Sequence, residues 1–499
     1  MTVSGISGSS QSIQAITDMR NQLDDLQRQL GTGKKSTTYS GLGLDRGLTV
    51  GLRSQLGAIS GYQDTITLVG VRLNLMQTAL TQFGSLAQTT KGTILQSQYL
   101  LNGGTQTPDQ QGVKSTLDSM LGMLNTQADG RYLFSGRSVE QAPVESIDHI
   151  LSGDGLKAGL KQLIDERKQA DLGASGLGRL VVGSPSATSV SLTEDSVSPF
   201  GFKLVGAATA IAGATVTPAA GAPQSMSVDL GPTNPNVGDT IKFSFKLPDG
   251  SSQDLTLTAT NASPPAAGQF TIGATSADTA TNLQAALSQS LGTLAHTQLV
   301  AASAVQAGKD FFNTDASHPP QRVDGPPFDS ATAMIDGTAA NTVAWYTGDN
   351  ATDDPRATAL ARADQSLVVS YGARANEQGL RVVVQSLAVF AATQFSASDP
   401  NGGAQYSALQ QRIGATLNGG PNQQAVTDIE GQLAGAQIAL NNAKDRHNQT
   451  SSTLQDLLQS VEGAPQEQVA TQLLSLQTSL QATLQTTAML LKTNILQYL

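Results

Sequence analysis

The chain has 499 residues, enough for about two to four domains. Charged residues are 14% and aromatics 4%, with a net charge of −10 and a pI near 4.9, which argues against a nucleic-acid partner, since that needs a basic face. With no cysteine, there is no disulfide framework, thiolate metal site or cysteine nucleophile.

The opening residues, "MTVSGISGSSQSIQAIT", carry no side-chain charge before Asp18. They lack the basic and apolar regions of a secretory signal, so no cleaved signal peptide is expected. A first apolar stripe, Ile13, Ile16, Met19, Leu23, Leu26 and Leu30, advances in steps of three and four and predicts a helix. "GTGKKSTTYSGLGLD" interrupts it. Gly33, Lys34 and Lys35 hint at a phosphate-binding loop. Arg28, however, stands where the first glycine is required, and Lys35 where Ser or Thr is. The segment reads better as a helix C-terminus with cations against its dipole. Gly41, Gly43 and Gly47 miss the dinucleotide fingerprint, since Arg46 occupies the third glycine position.

A second stripe runs Leu52, Leu56, Ile59, Tyr62, Ile66, Val69, Leu73, Met76, Leu80, Phe83. From Ile59 onward its three-four spacing is unbroken, the pattern of a coiled-coil seam. A helix of about 50 residues, about 75 Å long, is predicted.

The middle, 180–344, differs in kind and holds 13 of the 19 prolines. "TIKFSFKLPDGSSQDLTLTAT" alternates at Ile241, Phe243, Phe245 and Leu247, turns at Pro248-Asp249-Gly250, and alternates again at Leu255, Leu257 and Ala259. This predicts a β-hairpin. "SMSVDLG" predicts a further strand. "SADTATNLQAALSQSL" predicts a short helix capped by Ser276 or Asp278. Leu367, Val369 and Tyr371 then mark a strand, and Leu380, Val383, Val384, Leu387 and Phe390 a helix.

The C-terminal part returns to helical spacing. Val426, Ile429, Leu433, Ala436 and Leu440 begin a helix that Leu454, Leu457 and Val461 continue, and "EGAP", 462–465, breaks it. The last stripe is Leu473, Leu476, Leu480, Leu484, Leu491 and Ile495. Between Gln468 and Leu499 only Lys492 is ionised, and Gln and Thr fill the remaining faces. Such a helix is too polar for a membrane and too apolar to stand alone in water. Gln can bond across packed helices without burying charge, so the ends are expected to be buried in an assembly.

No constellation argues for an enzyme. His149, His296, His318 and His447 are far apart and form no HxxxH pair. Asp349, Asn350, Asp353 and Asp354 cluster, but Ala351 and Asp354 break the calcium-loop alternation. No GxSxG elbow or HExxH helix is present. No catalytic, cofactor-binding or metal residues are expected, and no cofactor. The fold class expected is mainly α with an inserted β-rich domain, its long N- and C-terminal helices paired as an antiparallel coiled-coil bundle. The domains expected are 1–45 with 455–499, a terminal helical polymer core; 46–184 with 345–454, a helical coiled-coil rod with some β; and 185–344, the β-rich insertion.

Three stretches resemble the flagellin superfamily, and within it the hook–filament junction proteins, the hook-associated protein 3 group. "LQRQLGTGKKST" looks like the family's helix ending in Leu-x-Thr-Gly-Lys. "NTQADGRYLFSGRS" carries an element similar to that of the junction proteins, here Gly130, Arg131, Tyr132, Leu133, Phe134, Ser135 and Gly136. "LQTTAMLLKTNILQYL" resembles their C-terminus, with its closing aromatic–Leu pair, Tyr498-Leu499. The segment "TTYSGLGLD" after Lys35 and the large insertion depart from the junction pattern.

The resemblance implies a structural subunit outside the cell, exported unfolded through the flagellar type III channel. It implies a ring of like subunits, the preceding hook-associated protein and flagellin as neighbours, and a cytoplasmic export chaperone on the C-terminal helix, with no membrane insertion. In this reading Leu473, Leu476, Leu480, Leu484, Leu491 and Ile495, with Tyr498 and Leu499, form a polymer core with Ile13, Ile16, Met19, Leu23, Leu26 and Leu30. The insertion would project outward. A filament flagellin, or a secreted adhesin using its β-rich middle, are the alternatives.

Overall fold

The computed structural model describes residues 4–314, 319–420 and 423–496, with side chains over 10–489 of these. The helices are α1 (Ser4–Thr32), α2 (Arg46–Gln96), α3 (Pro108–Leu124), α4 (Ile147–Ser152), α5 (Leu160–Leu172), α6 (Ser276–Leu294), α7 (Val300–Phe312), α8 (Gln378–Ala392), α9 (Gly402–Leu417), α10 (Val426–Glu462) and α11 (Gln466–Leu496). The described chain is mainly helical with several small sheets, and its residues fall into two compact units.

One unit comprises Met1–Val69, Ala361–Val369 and Ile438–Leu499. Within it α1 packs on α11, and the first part of α2 lies against the last part of α10. The α2 stripe faces inward: Leu52, Ile59, Ile66 and Val69 are buried. Leu52, Ile59 and Leu454 form a small core, with Leu56 and Leu458 against it. Polar contacts add register. Tyr62 stacks on His447 with ring centroids 5.6 Å apart, His447 Nε2 lies 2.7 Å from the Ala363 carbonyl, and Gln63 donates to Asn448 at 2.8 Å. The expected break falls where α10 ends at Glu462 and α11 starts at Gln466.

The other unit comprises Gly70–Leu360 and Ser370–Gln437. Here Leu73, Met76, Leu80 and Phe83 of α2 are buried, as are Ile429, Leu433 and Ala436 of α10. Helix α3 starts on a capping box, with Thr107 accepting from Gln110 and Pro108 in the first turn, and packs on α8; α7 packs on α5, α8 and α9.

The strands are β1 (Gln127–Ala128), β2 (Arg131–Tyr132), β3 (Leu180–Gly183), β4 (Ser189–Glu194), β5 (Lys203–Thr209), β6 (Thr215–Ala220), β7 (Ser225–Asp229), β8 (Thr240–Lys246), β9 (Ser252–Thr260), β10 (Gln269–Thr271), β11 (Gln321–Val323), β12 (Met334–Asp336), β13 (Leu360–Arg362) and β14 (Val368–Ser370). Two four-stranded sheets, in the orders β3-β4-β7-β6 and β10-β9-β8-β5, share one core with α6. All pairings in them are antiparallel except β10 with β9.

The β8–β9 hairpin forms at its predicted turn, pairing Lys246 with Ser252. Ile241, Phe243, Phe245, Leu247 and Leu257 are buried in the shared core. The turn is held by the helices: Arg412 of α9 donates to the Asp249 carboxylate at 2.6 Å and to Ser251 at 2.7 Å, and Lys309 of α7 donates to the Asp249 carbonyl at 2.8 Å. Helix α6 is capped by Thr275, not by Ser276. The Thr275 hydroxyl accepts from the Asp278 amide, and the Asp278 carboxylate answers at the Thr275 amide. Asp278 is thus the third helical residue of a capping box, and Ser276 is free to donate to the Gly231 carbonyl at 2.6 Å.

Candidate assembly face

Helices α1 and α11 meet, yet their packing is incomplete. Among the described side chains of the two helices, only Val469 is buried. Ile16, Met19, Leu23, Leu26, Leu473, Leu476 and Leu480 are half-buried, while Ile13 is 63%, Leu30 39% and Leu484 41% exposed. The backbone of Leu491 and Ile495 continues α11, but their side chains, and Tyr498 and Leu499 altogether, lie outside the described residues. A cavity of about 480 Å³ opens between the helices, lined by Leu26 and Leu476 among glutamines, serines and Asp25. Leu474, 63% exposed, and Met489, 69% exposed, place apolar surface on a second face of α11. The single stripe read from the sequence missed both; Leu474 directly follows a stripe residue and was the available signal.

The threonines of α11 make its polar faces less polar than their composition. Thr471, Thr478, Thr483 and Thr487 each donate to the carbonyl four residues back, at 2.7–2.9 Å. A hydroxyl whose proton is given to its own helix no longer needs an outside acceptor, so covering it leaves no unsatisfied donor.

Behind this pair, two turns of chain are tied together. The Lys35 amide donates to the Glu462 carbonyl at 2.7 Å, and the Ala464 amide to the Gly33 carbonyl at 2.9 Å. Lys35 Nζ reaches the Val461 carbonyl at 2.9 Å and that of Ser460 at 3.3 Å. The cation therefore serves the C-terminus of α10 rather than that of α1, the end the sequence pointed to. Arg53 of α2 grips the Glu462 carboxylate at 2.9 and 2.7 Å and lies over the Tyr39 ring. The "GTGKKST" stretch is thus a structural joint.

The Gly130 element is a second built feature, in the other unit. Asp129 (φ 52°) and Gly130 (φ 72°) both adopt left-handed conformations, which an Asp-Gly two-residue hairpin requires. The turn pairs Ala128 with Arg131 and Gln127 with Tyr132. Phe134 is then fully buried, and its carbonyl accepts from Ala375 at 2.8 Å. The Gly136 amide donates to Ala373 at 3.0 Å. At Gly136, with φ 63°, a Cβ would fall 2.7 Å from that of Asp349, so the close approach excludes any side chain. Arg131 is exposed and Tyr132 half-buried.

Beside this hairpin the acidic cluster is met by arginines. Asp349 faces Arg137 at 3.1 Å and Arg374 at 3.5 Å. Asp353 pairs with the same two guanidiniums. Asp354 caps the Arg356 amide at 2.9 Å, and Arg356 pairs with the buried Glu377. Hydrogen bonds from Arg137 and then Arg374 hold the Asp353 carboxyl well below the usual carboxylate range. Among the described residues, no group of three or more acidic or histidine side chains is placed to hold a metal ion. Arg137, Arg356, Arg374 and Glu377 were missed in the sequence because their partners are distant along the chain. No described helix is long and apolar enough to cross a membrane.

Residues 4–138 match the family described as the bacterial flagellin N-terminal helical region. That span covers α1, α2, α3 and the whole Gly130 element. No curated protein matches the chain. The similarity to flagellins therefore lies in the N-terminal part of the chain, from α1 to the Gly130 element.

Proposed function

We propose that the chain is the flagellar subunit that joins hook to filament, assembled through its terminal helices. The observation that carries the assembly is the α1–α11 pair. Two helices of 29 and 31 residues bury only Val469 among their described side chains and leave Ile13, Leu474 and Met489 largely uncovered. Apolar surface of that kind lowers its free energy by being covered, and like subunits supply an identical, repeating cover. In the second unit the continuing stripe of α2 buries Leu73, Leu80 and Phe83 fully, so that stripe has its core within one chain, whereas the stripes of the terminal pair do not.

The junction role, as distinct from filament flagellin, is supported by the Gly130 element and by the closing Tyr498-Leu499 of the sequence. A ring of like subunits, contacts with a preceding hook-associated protein and with flagellin, export without a cleaved signal, and a chaperone on the C-terminal helix all belong to this reading. The β-rich 185–344 region is its outward-facing part. The family matched at residues 4–138 fits a filament flagellin equally well. Incubating the purified full chain with seeds of sheared flagellum separates the two. A junction subunit binds and stops; long filaments grown from this chain alone would refute it.

A further inference from the structure

We infer that the β-rich region carries a binding groove for a neutral saccharide, lying between α6 and the loop leading into β10. The cavity has a volume of about 630 Å³, within the range of about 300–1,000 Å³ typical of small-molecule sites. None of its lining residues is ionisable, so a charged ligand would lose its hydration without a counter-charge. The floor is apolar: Leu255, Ala286 and Leu294 rest on the hydrophobic core beneath. One wall is the Pro265–Gly268 loop, and the α6 wall carries the amides and hydroxyls of Asn282, Gln289, Ser290 and Thr293.

Several of these groups are uncommitted. The Gln269, Gln289 and Ser290 side chains make no hydrogen bond within the described chain. Asn282 uses its amide nitrogen on the Thr271 carbonyl at 2.9 Å, which leaves its Oδ1 open. Asn282, Gln289 and Ser290 recur at seven- and eight-residue intervals, on one face of α6. An amide or hydroxyl offers both donor and acceptor, and a sugar hydroxyl asks for both. The apolar floor matches a sugar's C–H face.

An extended peptide is a poorer occupant, because the backbone beside the groove is already used. The Thr271 carbonyl is taken by Asn282, and the Gly273 amide donates to Thr279 at 2.9 Å. On the groove side of β10, an edge strand of its sheet, a pairing peptide would have to displace the Asn282 bond to the Thr271 carbonyl.

The test is saturation-transfer NMR on the full chain with maltose and with N,N′-diacetylchitobiose at millimolar concentration. Transfer to ring protons of at least one is expected. Gln289→Ala, at an exposed position, should weaken binding about fivefold, the effect of one hydrogen bond, and Asn282→Ala by a similar factor. Ala286→Leu, which fills the floor, should abolish it, with melting of the Gln289→Ala protein unchanged as the folding control. Absence of transfer to both sugars, or transfer that survives Gln289→Ala and Asn282→Ala together, overturns the assignment.

Discussion

Leu474 gives the sharpest separation of folding from assembly. It is 63% exposed in the single chain, so a substitution there should change monomer stability by no more than about 0.5 kcal/mol. Full burial of a leucine is worth about 1.5–3 kcal/mol, so covering the share still exposed is worth about 1–2 kcal/mol per subunit. Leu474→Ala forfeits most of that. Leu474→Asp also places a carboxylate in the covered face, at several kcal/mol if it finds no partner, and the loss repeats in every subunit. The expected outcome is that Leu474→Asp melts like the parent protein and is exported, but its cells lack attached filaments in electron micrographs. Leu474→Ala should be intermediate. Leu156→Asp, at an 87% exposed position in the other unit, is the control and should assemble. Normal filaments on Leu474→Asp cells would refute the reasoning.

Phe134 is fully buried in the Gly130 element, and Phe134→Ala should destabilise its unit by about 3–5 kcal/mol in urea unfolding; a loss under 1 kcal/mol would show that the element is not part of that core. Asp353 titrates below its unfolded value of about 3.9, so its contribution is fully present above pH about 4 and is lost as pH falls through the folded value. The urea midpoint should therefore drop on acidification below about pH 4, and drop less steeply in Asp353→Asn. Arg412→Ala removes the grip on Asp249 and Ser251, so the β8–β9 turn should become a site of limited proteolysis while the parent resists; equal resistance would mean Lys309 alone suffices. Leu480→Asp, within the half-buried stripe, should leave export intact and block filament attachment.

The parts of the fold written in local pattern were legible. The stripe from Leu52 to Phe83 predicts one long helix because its period repeats, and α2 runs 51 residues. Pro248-Asp249-Gly250 predicts the hairpin because turn chemistry is local. What pairs across distance was not legible. Arg412 clasps Asp249 from 163 residues away, and Arg137 meets Asp353 from 216; neither spacing leaves a periodic trace. The short strands β3 to β6 were missed for a related reason: β6 follows no clean alternation, with mostly exposed residues along an edge. Lys35 was read as serving its own helix, since the approach of Val461 is a tertiary event. On the candidate face, the stripe residues were named from spacing, but Leu474 and Met489 needed the structure, because exposure on a second face is decided by where α1 lies.

The central claim is that this chain occupies one short zone of the flagellum, held there by its terminal helices. Immunogold labelling of intact flagella, with antibody raised against residues 185–344, tests it most directly. A single band where hook meets filament is predicted. Label distributed along the filament would contradict the junction role, and label absent from the flagellum would contradict the assembly itself.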